Sequence, residues 1–223
     1  MTKKNPGYFC QEQVFDRPTM AIIRDALERA DLSRTKAGAR HVLQVPAVRD
    51  LAHHSSLISL AASFVGTRPV PFRATLFDKS AASNWLVAWH QDTALPLRQR
   101  NADPGWGPWS LKGGVLHAIA PGSALSTVVA LRVHLDDSNS TNGPLRVLPG
   151  THLDGVLPHD EIQHRAQTIV AVECLASVGG VVAMRPLLVH ASSKASDDRP
   201  RRVLHIEYAA TLQLGRGIEL AVG

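Results

Sequence analysis

The chain has 223 residues, 44% of them hydrophobic and 19% charged, a globular composition that excludes the charge-rich, core-poor signature of disorder. The formal net charge is +5, but the basic residues are scattered, with one local cluster at 199–202 and no recognition motif beside it, which argues against nucleic acid as a partner and for small anionic molecules. Cys10 and Cys174 form neither a disulfide framework nor a CxxC metal site, and no apolar run nears the roughly 18 residues of a membrane span, so the sequence predicts a soluble cytoplasmic protein without a membrane partner.

Residues 18–32 place Ile23, Leu27 and Ala30 at helical spacing behind Pro18 and Thr19. A second helix is expected over 48–65, where Val48, Leu51, Leu57, Leu60 and Phe64 recur and Gly66 closes the run. Between them GARHVLQVP reads as a short strand. From Pro71 the texture changes to short runs rich in Val, Leu, Ile and Thr separated by turn residues. This pattern predicts strands at 72–78, 85–91, 114–119, 127–135, 145–148, 167–173, 181–185, 187–191 and 202–209. Asn142-Gly143-Pro144, Leu148-Pro149-Gly150 and Gly179-Gly180 supply turns. The stretch 97–112 reads as a long ordered loop of the kind that serves a site. The whole chain, 1–223, is expected to be one domain: a mostly helical flank at 1–70 and a mainly β core at 71–210, built as a barrel or a two-sheet jelly roll.

Chemistry concentrates at strand ends. His90 and Asp92 in WHQDTALP lie two residues apart, on one face of a strand. His190 follows the apolar run 181–189. Two histidines and a carboxylate around one metal, with open positions opposite, make the facial triad of non-haem Fe(II) oxygenases. Arg201 and Arg202 follow shortly after, and a guanidinium fork can hold the far carboxylate of a dicarboxylate co-substrate.

The runs FDKSAASNWLVAWHQD, GPLRVLPGTH and RPLLVHASSKASDDRPRRVLHIEYA together resemble the phytanoyl-CoA dioxygenase family of Fe(II)- and 2-oxoglutarate-dependent oxygenases, over about residues 37–209. The resemblance implies a double-stranded β-helix, cupin-like, that holds Fe(II) through His90, Asp92 and His190. It implies 2-oxoglutarate as co-substrate with O2, bound by the metal and by Arg201, which the family spacing selects over Arg202. Ser192, Gln91, Trp109 and Thr75 match positions near the co-substrate in such proteins. The activity implied is oxidative decarboxylation of 2-oxoglutarate, releasing succinate and CO2, coupled to hydroxylation of a small organic metabolite. An aspartate at position 92 argues against halogenation, since related halogenases carry a small residue there. The alternatives are a cupin-like hydrolase or isomerase, which would have no need of Arg201, and a small-molecule-binding module without turnover, against which the intact ligands and the matching arginine argue.

Strand parity adds an expectation independent of the family. If Arg201 points inward, so do Val203, His205 and Glu207, while Leu204, Ile206 and Tyr208 face outward under the amino-terminal helices. His205 and Glu207 are therefore expected to line the substrate pocket, where an unpartnered charge would be costly. Parity does not decide Lys79, which can face the site or pair with an acid. Asp136 and Asp137 read as a turn, His53 and His54 as exposed, and His152 as turn structure or pocket rim. Oligomeric state is not readable.

Overall fold

Short β-branched runs punctuated by turns fold here into antiparallel sheets, as period-two patterning requires. The computed structural model describes residues 5–66, 68–80 and 83–223; Ala81 and Ala82 of the segments quoted above lie outside them. The first strands are β1 (Tyr8–Gln11), β2 (Arg34–Thr35), β3 (Gly38–Arg40) and β4 (Val70–Lys79). Next come β5 (Val87–His90), β6 (Ala94–Leu97), β7 (Trp109–Lys112), β8 (Val115–Ile119) and β9 (Val128–His134). The last are β10 (Leu145–Val147), β11 (Val172–Cys174), β12 (Val181–Met184), β13 (His190–Ser192), β14 (Arg201–Ala209), β15 (Gln213–Gly215) and β16 (Ile218–Glu219). The helices are α1 (Arg17–Arg29), α2 (Pro46–Ala52), α3 (Ser55–Val65), the one-turn α4 (Gly122–Leu125) and α5 (His159–Thr168).

A seven-stranded sheet, β1-β12-β9-β14-β4-β3-β2, faces a four-stranded sheet, β11-β10-β13-β5. Together they form the double-stranded β-helix. A three-stranded sheet, β6-β8-β7, stands beside them. The outer face of the large sheet carries Leu76, Leu131, Val133, Leu204, Ile206 and Tyr208, which pack against Met20, Ile23, Leu27, Leu51 and Leu57 of the helical flank. Each such side chain, fully buried, contributes roughly 1.5–3 kcal/mol. The helices thus cover the apolar face of β14, and Val203, His205 and Glu207 are left to point inward.

Several elements differ from expectation for physical reasons. The helix expected over 48–65 breaks into α2 and α3. On a straight helix at about 100° per residue, Leu57 would lie about 180° from Val48, so both reach the core only if the chain turns at His53-His54. His54 Nδ1 caps α3 by accepting from Ser56 N at 3.2 Å, and Tyr208 Oη donates to the carbonyl of Ala52 at the end of α2, 2.8 Å away. The GARHVLQVP segment supplies β3 and then a 3-10 turn, Val42–Gln44. The strand expected at 167–173 shrinks to β11 because α5 occupies 159–168, a mostly solvent-facing helix whose single buried residue is Ile162. The loop expected at 97–112 ends in β7, which pairs with β8. Finally, 185–188 form a turn closed by Leu188 N donating to Arg185 O, so the strand expected at 187–191 is β13, starting at His190.

Candidate active site

His90 and His190 face each other across a strand pair, since β13 and β5 are antiparallel with His190 opposite His90. Asp92 follows β5, its backbone N–H bonded to Pro186 O at 2.9 Å. Asp92 Oδ1 lies 3.8 Å from His90 Nε2 and Oδ2 lies 3.6 Å from His190 Nε2. The three donor atoms fall within 4.8 Å of one another, a spacing that could hold a metal ion. Each imidazole is oriented the same way, by its own strand. His90 Nδ1 bonds Ala88 O and His190 Nδ1 bonds Leu188 O, both at 2.8 Å. A ring whose Nδ1–H donates to a carbonyl presents its Nε2 lone pair, the arrangement usual for metal-binding histidine.

Electrostatics keep the cluster in ligating form. Burial depresses His190 to about 4, against the pull of Asp92, so its ring is neutral at pH 7. Burial alone would raise the Asp92 carboxyl, but His190, His205, His90 and Arg73 outweigh it and bring it to about 2.

The cluster opens on a cavity of about 240 Å³ enclosed between the two large sheets, slightly below the ~300–1,000 Å³ common for ligand sites. Its far wall is the inner face of β4, β14 and β9, including Arg73, Thr75, Phe77, Arg132, Arg201, His205 and Glu207. Arg201 is 2% exposed at the start of β14. Its Nε donates to Asn142 O at 3.3 Å and its Nη2 to Ser192 Oγ at 3.4 Å, while Nη1 is buried with no partner among the described residues. Burial and the nearby Arg132 lower this guanidinium to about 9, still charged at neutral pH. Arg202 points the other way and pairs with Asp136 and Glu28, so strand parity separates the two arginines.

The chain approaches closely at this end. Gly143, at φ +71°, supplies the carbonyl that accepts from Ser192 Oγ at 2.9 Å, and a side chain there would meet Ser193 O and Lys79 Nζ. Lys79 is buried behind Arg201, its Nζ donating to Ser192 Oγ at 2.9 Å and Ser193 O at 2.5 Å. Burial, with Arg201 and Arg132, brings it down to about 8. At the opposite end of the cavity Glu207 is held by the two-pronged guanidinium of Arg73, which also donates to Ala94 O at 3.4 Å. Neighbouring His117 is 4% exposed, its Nδ1 bonded to Val115 O at 3.0 Å.

The structure brings ten sequence-selected residues to different places. His90, Asp92, His190, Thr75, Ser192, Arg201, His205 and Glu207 line the cavity; Gln91 and Trp109 do not. Gln91 faces away, as period two dictates between His90 and Asp92, and all its polar capacity ties the chain together. Its Nε2 donates to Gly155 O and Leu187 O at 2.9 and 2.7 Å, and its Oε1 accepts from Leu157 N at 2.8 Å. Trp109 packs on the β6-β8-β7 side with Arg100 over its ring, and the tryptophan on the cavity wall is Trp85. His152 sits in the 3-10 turn after Gly150 and is not on the wall. Missed by sequence reasoning are Arg73, Arg132, His117 and His41. Arg132 had a signal: Arg132 and His134 are the polar members of the otherwise apolar β9 and share one face.

A Gln91→Leu variant should lose about 1–3 kcal/mol of stability by stranding those backbone groups, with 2-oxoglutarate affinity unchanged. Thermal melting beside a co-substrate titration checks this. Normal melting with weaker binding would return Gln91 to the co-substrate site.

The donor set fits a divalent transition metal with open positions, and the unpartnered Nη1 of Arg201 fits a carboxylate. Fold and site together define an iron- and 2-oxoglutarate-dependent oxygenase of the double-stranded β-helix class. The chain belongs to the phytanoyl-CoA dioxygenase (PhyH) family, whose model matches residues 4–203. Among solved structures it resembles AviO1 from Streptomyces viridochromogenes Tue57, at 25% identity and TM-score 0.67, over 92% of this chain and 90% of that one. It also resembles the non-haem alpha-ketoglutarate-dependent epimerase SnoN from nogalamycin biosynthesis, at 21% identity and TM-score 0.67, over 93% and 79%. EctD from S. alaskensis, solved with 2-oxoglutarate and 5-hydroxyectoine, matches at 18% identity and TM-score 0.70, over 93% and 73%. No protein of curated function matches the sequence. Among the described residues, no helix is long and apolar enough to cross a membrane.

Proposed function

We propose that this oxygenase hydroxylates a small polar organic metabolite, with His90, Asp92 and His190 holding Fe(II) and Arg201 holding the far carboxylate of 2-oxoglutarate. The observation that carries the reading is the pairing of a three-donor cluster with a buried, half-satisfied arginine in one cavity. Bound iron supplies the activation of O2 that oxidises 2-oxoglutarate to succinate and CO2 and delivers one oxygen atom to the substrate.

The chain's own residues orient and shield. The Leu188 and Ala88 carbonyls fix the histidine tautomers. Ser192 and Asn142 hold the Arg201 guanidinium in place. Phe77, Trp85, Val87 and Leu145 give the cavity apolar wall, which excludes water and strengthens the charge pairs inside. The Arg73–Glu207 pair and His117 offer donors and acceptors at the end away from Arg201, where we assign the substrate. The small volume favours a compact substrate or one reaching in from the mouth. Its position relative to the metal decides which bond reacts.

The test is anaerobic titration with Fe(II) and 2-oxoglutarate, following the visible metal-to-ligand charge-transfer absorption. Wild-type protein should develop the band, and Arg201→Gln should need about tenfold or more 2-oxoglutarate, the loss of a charge-assisted bidentate contact. Absence of the band in folded wild-type protein would overturn the assignment of these residues.

A further inference from the structure

We propose that Arg132, backed by His205, is a second cationic anchor for the co-substrate and holds the carboxylate of its 2-oxo acid end. This rests on the co-substrate assignment above, in which Arg201 holds the other end. Arg132 projects from β9 onto the cavity wall and is 6% exposed. Its guanidinium lies over the Phe77 ring, and its one hydrogen bond among the described residues runs from Nη1 to His205 Nδ1 at 3.2 Å. Among the described residues its buried Nε has no partner and no carboxylate forms a salt bridge with the side chain. A cation in that position is costly to bury unless an anion arrives.

Charge balance singles out Arg132. Before the co-substrate binds, iron(II), Asp92 and Arg201 sum to +2, so the site calls for an anion, and Arg73 cancels Glu207. Two buried cations remain, Lys79 and Arg132. Lys79 spends its donors on Ser192 and Ser193 behind the wall, which leaves Arg132 as the uncompensated cation on the cavity itself. His205 stands opposite Arg132 in the strand register and four residues along β14 from Arg201, roughly 13 Å of strand. The two arginines thus enter the cavity at different levels of the sheet, as anchors for the two ends of a diacid would. Because an arginine can only donate, His205 Nδ1 is the acceptor and the ring hydrogen sits on Nε2. This nitrogen has no partner among the described residues and adds a second donor beside the guanidinium.

The experiment compares 2-oxoglutarate with 2-oxopentanoate, the same chain lacking the second carboxylate. Dissociation constants for both are read anaerobically from the charge-transfer band of the Fe(II) protein. Arg201→Gln should weaken 2-oxoglutarate alone and erase the preference for it. Arg132→Gln should weaken both ligands by about tenfold or more while the preference survives. Arg132→Lys keeps the cation without the fork; it should weaken both ligands equally and by less, and it carries the test if the glutamine variant does not fold. Unchanged affinities in the Arg132 variants would overturn the proposal, as would loss of the 2-oxoglutarate preference, which would place Arg132 beside Arg201 on the same carboxylate. A missing band in wild-type protein would instead overturn the co-substrate assignment on which the proposal stands.

Discussion

Asp92→Ala should leave the fold intact and lower Fe(II) affinity by more than about 100-fold, the upper end of what losing a mere supporting contact to a metal ligand costs. Asp92 is the cluster's single carboxylate, within 4 Å of both imidazole Nε2 atoms. Its side chain is one-third exposed, and its backbone is fixed independently by the bond to Pro186. Removing the carboxylate therefore costs little packing. What remains is two imidazoles, without the negative charge that offsets a dication. Anaerobic equilibrium dialysis against Fe(II) measures the change. Asp154→Ala, which removes an aspartate paired with Arg165 outside the cluster, should bind iron like the wild type. Equal iron binding by both variants would refute the metal assignment.

The convergence of His90, Asp92 and His190 is legible in sequence because two rules suffice. Period two puts His90 and Asp92 on one face, and a strand pair need only bring His190 opposite. The inward set of β14 is legible for a similar reason: one face carries Arg201, His205 and Glu207, the other Leu204, Ile206 and Tyr208, and the helical flank supplies a cover for the second. Parity also contained the answer for Gln91, which must face opposite its two neighbours.

Other features depend on information that no local pattern holds. Val87 and His90 both reach the cavity because the β5–β13 pairing shifts register, with Ser192 opposite Val87 and His190 opposite His90. The extra residue in β5 reverses the alternation, which hides Trp85 and Val87 from a parity argument. α5 escaped because its sequence, HDEIQHRAQT, buries little. Pro158 before it and Asp160 and Glu161 in its first turn are the start signals that could have revealed it. The partner of Glu207 comes from β4, 134 residues earlier, and only the antiparallel β14–β4 register, which sets Glu207 opposite Arg73, makes that pair.

That pair carries the largest expected effect on stability. Arg73→Ala should cost about 3–5 kcal/mol, because it leaves a buried carboxylate without its cation. For a chain of this length the melting temperature should fall by roughly 6–20 °C. The loss should depend on pH in a definite direction. Burial pushes the Glu207 carboxyl above its usual range and Arg73 pulls it part of the way back. A raised carboxyl binds its proton more tightly in the folded chain than in the unfolded one, so its contribution to stability is complete below pH 4.5 and declines as pH rises through the folded value. Removing Arg73 raises that value further. The deficit of the variant should therefore be small near pH 5 and large near pH 8, as measured by urea denaturation at both. Arg73→Met with Glu207→Leu, which removes both charges, should recover most of the loss at pH 8. A deficit that is the same at both pH values, or that persists in the double variant, would mean that Arg73 acts through packing and not through the charge of Glu207. Recovery of stability with 2-oxoglutarate affinity intact would leave the pair no structural purpose that an apolar floor could not serve, and so would assign its polarity to the substrate.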